Sequence, residues 1–170
     1  MQSQQYVPIG LHSVSWTYYA GSAGSGILGR GIVDQVAFAP TPFGSWQAAK
    51  FTAAQRLDER ISGPGADPDG DGIANLAEHY YGLSPLTSST TGLPKLAPNG
   101  AGWALTFQAD TTASTTTRFI EHSTDFHNWS AVTASESVLS IAGTVRTIKA
   151  VLPPVTGTAH YYRLRLDLAE

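Results

Sequence analysis

The chain has 170 residues, a hydrophobic fraction of 42%, only 14% charged residues and a formal net charge of −3. That length suits one ordinary core or two small ones, and the mildly acidic balance gives no electrostatic case for nucleic acid. Cysteine is absent, which removes disulfides, thiolate zinc sites and thiol catalysis, and no apolar run approaches the ~18 residues of a membrane helix.

Met1 to Gln5 is polar and does not read as a signal peptide. Residues 6–20 read as a strand carrying Val7, Ile9, Leu11, Val14, Trp16 and Tyr18, and residues 32–38 as a second. The Gly/Ser loop between them contains Gly24-Ser25-Gly26-Ile27-Leu28-Gly29, a GxGxxG match. No helix or βαβ unit surrounds it, so a hairpin tip is the better reading. Pro40, Pro42 and Gly44 mark a boundary. Ser45 then predicts the cap of a helix running to about Glu59, with Trp46, Ala49, Ala53 and Leu57 on its apolar face and Gln47 and Lys50 off it.

The stretch Asp67-Pro68-Asp69-Gly70-Asp71-Gly72-Ile73-Ala74-Asn75-Leu76-Ala77-Glu78 carries the most specific chemistry. Oxygen-bearing side chains fall at loop positions 1, 3, 5, 9 and 12, with glycine at 6, the spacing of an EF-hand-type calcium loop. Calcium takes about six to eight oxygens. Asp67, Asp69 and Asp71 would supply three ligands, Ile73 its carbonyl, Asn75 a direct or water-mediated contact, and Glu78 both carboxylate oxygens. An Asp/Gly turn that only caps a helix is the alternative, but it leaves Glu78 at position 12 unexplained. A second helix is expected from about Ile73, with Ile73, Leu76, Ala77, Tyr80 and Leu83 as its stripe, Gly82 as its stop and His79 on its outer face. No second Asp-rich loop exists, so one calcium ion is expected.

Beyond a Ser/Thr linker at 87–92 the pattern is all β. Trp103, Leu105 and Phe107 alternate with Ala104, Thr106 and Gln108. Arg118, Ile120 and His122 alternate with Phe119 and Glu121, and strands 138–141 and 145–151 flank a turn at Ala142-Gly143. The last strand sets Tyr162, Leu164, Leu166 and Leu168 against Tyr161, Arg163, Arg165 and Asp167. The expected fold is mainly β with a small helical insert. It divides into a β-hairpin at 1–42, which resembles the last strands of a jelly-roll-like sheet; helix–calcium loop–helix at 43–86; linker and first strand entry at 87–102; and a small antiparallel β-sandwich at 103–170.

The run from Trp46 through the calcium loop to Gly82-Leu83-Ser84-Pro85 resembles a module near the C-termini of large secreted proteins of Verrucomicrobia and related bacteria. Its loop is similar to those of dockerins and thrombospondin type 3 repeats. Glu121-His122-Ser123-Thr124-Asp125-Phe126-His127-Asn128-Trp129 and Tyr162-Arg163-Leu164-Arg165-Leu166 resemble the strand–turn and closing strand of the same arrangement, with His122 and Phe126 as departures. The resemblance implies a fibronectin III-like final domain and a non-catalytic, calcium-stabilised accessory region. It also implies a secreted or surface protein, with upstream domains and a polysaccharide or cell-surface component as partners. The single loop departs from the duplicated loops of dockerins, so cohesin binding is not expected.

Two other classes compete. A carbohydrate-binding module would use exposed aromatics such as Trp16, Trp103 and Trp129, each read first as core. A glycoside hydrolase fragment would need a carboxylate pair such as Glu121 and Asp125, but Asp125 reads more simply as a turn residue. With no HExxH and no GxSxG in the chain, a zincin or an α/β-hydrolase has no support.

Overall fold

The computed structural model describes residues 40–156 and 159–169. The predicted hairpin of residues 6–38, with its GxGxxG match and Trp16, lies outside them.

Helix α1 (Pro42–Lys50) starts four residues earlier than a cap at Ser45 predicts. Thr41 is extended and its hydroxyl accepts from Gly44 N at 3.0 Å, while Pro42 occupies the first turn. A hydroxyl cap followed by proline, whose φ is already helical, is the stronger start signal. The helix also stops well before Glu59, at an extended Phe51. There Thr52 and Gln55 form a reciprocal capping pair: Thr52 N donates to Gln55 Oε1 at 2.9 Å and Gln55 N to Thr52 Oγ1 at 3.3 Å. The pair opens a 3-10 turn at Gln55–Leu57, and Asp58 caps the one-turn helix α2 (Glu59–Ser62). The buried stripe is therefore Phe43, Gln47 and Phe51, whereas Ala49 and Ala53 are exposed and Leu57 is 72% exposed. Gln47 follows its two large aromatic neighbours inward, where its Nε2 donates to Ser62 O at 2.6 Å while its Oε1 is buried without a partner.

Helix α3 (Asn75–Tyr81) follows the loop and ends at Gly82, whose φ of 72° is the left-handed cap that glycine tolerates. Of the predicted stripe, Ile73 and Tyr80 are buried, and Leu76, Ala77 and Leu83 are half-buried.

Seven strands follow among the described residues: β1 (Lys95–Asn99), β2 (Gly102–Asp110), β3 (Thr116–Ser123), β4 (Ser130–Ala131), β5 (Ser135–Ala142), β6 (Val145–Val151) and β7 (Tyr161–Leu168). They pair antiparallel into two sheets, in the orders β1-β2-β6-β5 and β4-β3-β7. The first sheet turns Leu105, Phe107, Ala109 and Ala150 into a common core. The second contributes Ile120, with Tyr162, Leu164 and Leu166 half-buried against it. Tyr80 and Tyr81 of α3 belong to the same cluster, so α3 shares the core of the sheets, while Phe43, Phe51 and Ile73 of the helical unit are buried outside it. Trp103, expected inside, is 41% exposed. It is the second residue of β2, opposite Pro98 on β1, and stands outside the core cluster that Leu105 and Phe107 enter. Among the described helices none is long and apolar enough to cross a membrane.

Arg118 ties these layers together. Its guanidinium lies 4.7 Å from the centre of the Phe107 ring, donates to Tyr80 Oη at 3.0 Å and pairs with Glu136 Oε1 at 2.6 Å. On the outer face of the second sheet, Glu121 accepts from Arg163 at 2.7 Å and Arg165 at 2.9 Å. Arg163 covers the Trp129 ring and Arg165 the Phe119 ring.

The Arg163 hydrogen bond first, then that of Arg165, holds the Glu121 carboxyl below the ordinary glutamate range. A depressed carboxyl stabilises the fold above its unfolded pKa of about 4.3 and loses that contribution as pH falls through its lower folded value. The urea midpoint of wild type is thus expected to fall on acidification below about pH 4.3 more steeply than that of Glu121→Gln. Parallel curves for the two proteins would show that the pair contributes nothing.

Candidate metal centre

Asp67, Asp69 and Asp71 alternate along a tight loop, and one carboxylate oxygen from each lies within 4.8 Å of the others. Local hydrogen bonds set this arrangement. Asp67 accepts from Gly70 N at 2.9 Å and Gly72 N at 2.8 Å, Asp69 from Asp71 N at 3.2 Å, and Asp71 from Ile73 N at 2.8 Å. The turn passes through positive φ at Gly70 (75°) and Gly72 (88°). A Cβ at Gly72 would meet nothing within 4 Å, so Gly72→Ala tests backbone strain alone. It is expected to cost about 1–2 kcal/mol, read as a lower thermal midpoint; an unchanged midpoint would mean the loop relaxes to another shape.

The ends of the loop are clamped through α3. Asn75 N donates to Ala66 O at 2.8 Å and Leu76 N to Pro64 O at 3.0 Å. These bonds satisfy helix N–H groups that otherwise lack partners. Asn75, fully buried, donates its side-chain amide to Ile61 O at 2.9 Å and Gly63 O at 2.8 Å, so its first task is to hold the entry segment. Its Oδ1 is buried with no partner. Ile73 sends its side chain inward, 8% exposed.

Glu78 is the informative residue. It is fully buried and both carboxylate oxygens lack a hydrogen-bond partner; Asp69 Oδ2 is in the same state. Glu78 lies outside the 4.8 Å group of aspartates, yet all three repel its charge. Burial first, then Asp69, Asp71 and Asp67, push its carboxyl up to about 7, with Lys50 partly offsetting them. A buried carboxylate with no donor and three anionic neighbours is costly. A hard cation among these oxygens would remove the desolvation cost and the repulsion together. The donor set fits such an ion, because every unpartnered atom here is oxygen.

Two features were not read from the sequence. Asp71 Oδ2 accepts from Ser89 N at 2.7 Å, tying the loop to the Ser/Thr linker; nothing in that linker's composition signals the contact. His79, expected on the outer face, is 1% exposed. Its ring packs 5.5 Å from Phe43 and 5.3 Å from Trp46, because α1 covers the side of α3 that the helical stripe leaves out.

The acids considered for hydrolysis have local duties. Asp125 accepts from His127 N at 2.9 Å, Asn128 N at 2.8 Å and Asn128 Nδ2 at 2.7 Å, and Glu121 is held by its two arginines. No family model, curated protein or solved structure matches the chain.

Proposed function

We propose that residues 67–78 bind one Ca2+ and that the chain is a non-catalytic structural module of a secreted or surface bacterial protein. In this reading calcium fixes the junction between the helical unit and the β-sheets. The observation that carries it is Glu78, buried and unpartnered beside three converging aspartates. Asp67, Asp69, Asp71 and Glu78 supply the charge, Asn75 Oδ1 and the Ile73 carbonyl complete the ligand set, and the all-oxygen composition favours a hard ion.

The strand orders β1-β2-β6-β5 and β4-β3-β7 support a Greek-key sandwich of the immunoglobulin and fibronectin III kind, with β1-β2-β6-β5 in the place of strands A-B-E-D. Through Tyr80, Tyr81 and the Arg118 contacts, order in α3 passes directly to both sheets. Trp46, Trp103 and Trp129 lie on α1, on β2 and under Arg163 of the other sheet and form no common platform; the observation that favours a glycan is instead Phe126, 59% exposed and packed against Tyr161 and Trp129. The test is terbium luminescence sensitised by nearby aromatics and displaced by calcium. Wild type should show it and Asp69→Ala should not; equal signals would place the ion elsewhere.

A further inference from the structure

We propose that His122 and His160 form a second metal site, for a divalent transition metal of the copper(II) or nickel(II) class. His122 Nε2 and His160 Nδ1 approach to 2.9 Å, and the two rings stack with centroids 5.2 Å apart. The Tyr162 ring lies 5.0 Å from that of His122. The Tyr162 hydroxyl is sealed from solvent without a hydrogen-bond partner, and so is His160 Nε2, on the side of its ring away from His122. His122 and Tyr162 are register partners on β3 and β7, which fixes two of the three side chains on rigid strands.

The ligand class follows from the spacing. Imidazole nitrogens ligate copper, nickel and zinc at about 2.0–2.1 Å. Two nitrogens 2.9 Å apart at that bond length subtend about 90° at a shared ion, the cis angle of a square-planar or tetragonal site. A tetrahedral zinc ion would require the pair to spread to about 3.3 Å. At that bond length the ion would stand about 1.4 Å off the line between the two nitrogens, breaking their hydrogen bond and releasing its proton to solvent or to a free ring nitrogen. This centre is distinct from the acidic loop in position and in donor chemistry. His122 stands four residues along β3 from Arg118, about 13 Å farther from the Tyr80 contact.

The experiment is titration of the whole, calcium-saturated chain with copper(II) chloride, followed by calorimetry and by electron paramagnetic resonance. Wild type is expected to bind one ion with nitrogen hyperfine structure. His122→Gln and His160→Gln are each expected to weaken that binding at least tenfold, while His127→Gln leaves it unchanged. Far-UV circular dichroism before titration confirms that the variants are folded. No binding by wild type would overturn the proposal, and so would equal binding by folded His122→Gln and His160→Gln. Glu78→Gln, which removes the calcium ligand, is expected to retain the copper signal, so failure of the calcium reading would be seen separately.

Discussion

Stripping calcium with EGTA is expected to lower the thermal midpoint of the wild-type chain by roughly 5–10 °C. A site with a Kd of about 10⁻⁵ M in about 1 mM calcium adds approximately 2.7 kcal/mol, and each kcal/mol moves the midpoint of a chain this size by about 2–4 °C. Variants at Glu78 sharpen the test because their effect should change sign. Its carboxylate is buried without a donor and beside three aspartates. With the ion bound, that charge is stabilising; without it, at pH 8, the charged form is the unfavourable one. Glu78→Gln keeps the shape and removes the charge. It is therefore expected to melt below wild type in calcium, above wild type in EGTA, and at the same temperature in both. A Glu78→Gln protein less stable than wild type in EGTA would show that Glu78 has a protein partner in solution, and the calcium reading would lose its main support.

Phe107→Ala is expected to destabilise the whole described region by about 3–5 kcal/mol. Phe107 is 1% exposed, lies at the centre of the shared core and carries the Arg118 guanidinium on its face. Its loss opens a cavity and loosens the arginine that holds Tyr80 and Glu136. Because Tyr80 and Tyr81 sit in that core, the helical unit should melt with the sheets. With the other three tryptophans replaced by phenylalanine, Trp46 fluorescence on α1 and the far-UV β signal should then shift together and stay coincident. A variant whose Trp46 signal keeps its wild-type midpoint while the β signal drops would mean two independent cores.

The acidic loop was legible because each of its features is local. The Asp67, Asp69 and Asp71 alternation, the glycines at positive φ and the Gly82 stop depend on neighbours a few residues away. The same holds for β7, where period-two alternation places Tyr162, Leu164 and Leu166 toward the core. The errors came where tertiary contacts or competing caps decide. Ser45 was an acceptable cap, but Thr41 followed by Pro42 was a better one, and the Thr52–Gln55 pair ended a helix whose apolar period ran on. Both capping signals stand in the sequence, interrupting an apolar period that runs on past them. The burial of His79 and the exposure of Trp103 were not local at all. The first depends on α1 folding over α3, the second on Trp103 standing at the start of β2, outside the core cluster. Strands β1 and β4 carry Pro98 or only two residues, too little for a period to show.

The central claim is that residues 67–78 hold one calcium ion through Glu78 and the three aspartates. Calorimetric titration of the EGTA-treated, dialysed chain with calcium chloride tests it most directly. One site per chain, lost in both Asp67→Ala and Glu78→Ala, is the predicted result. Absence of binding up to millimolar calcium, or binding that survives in both variants, would contradict it.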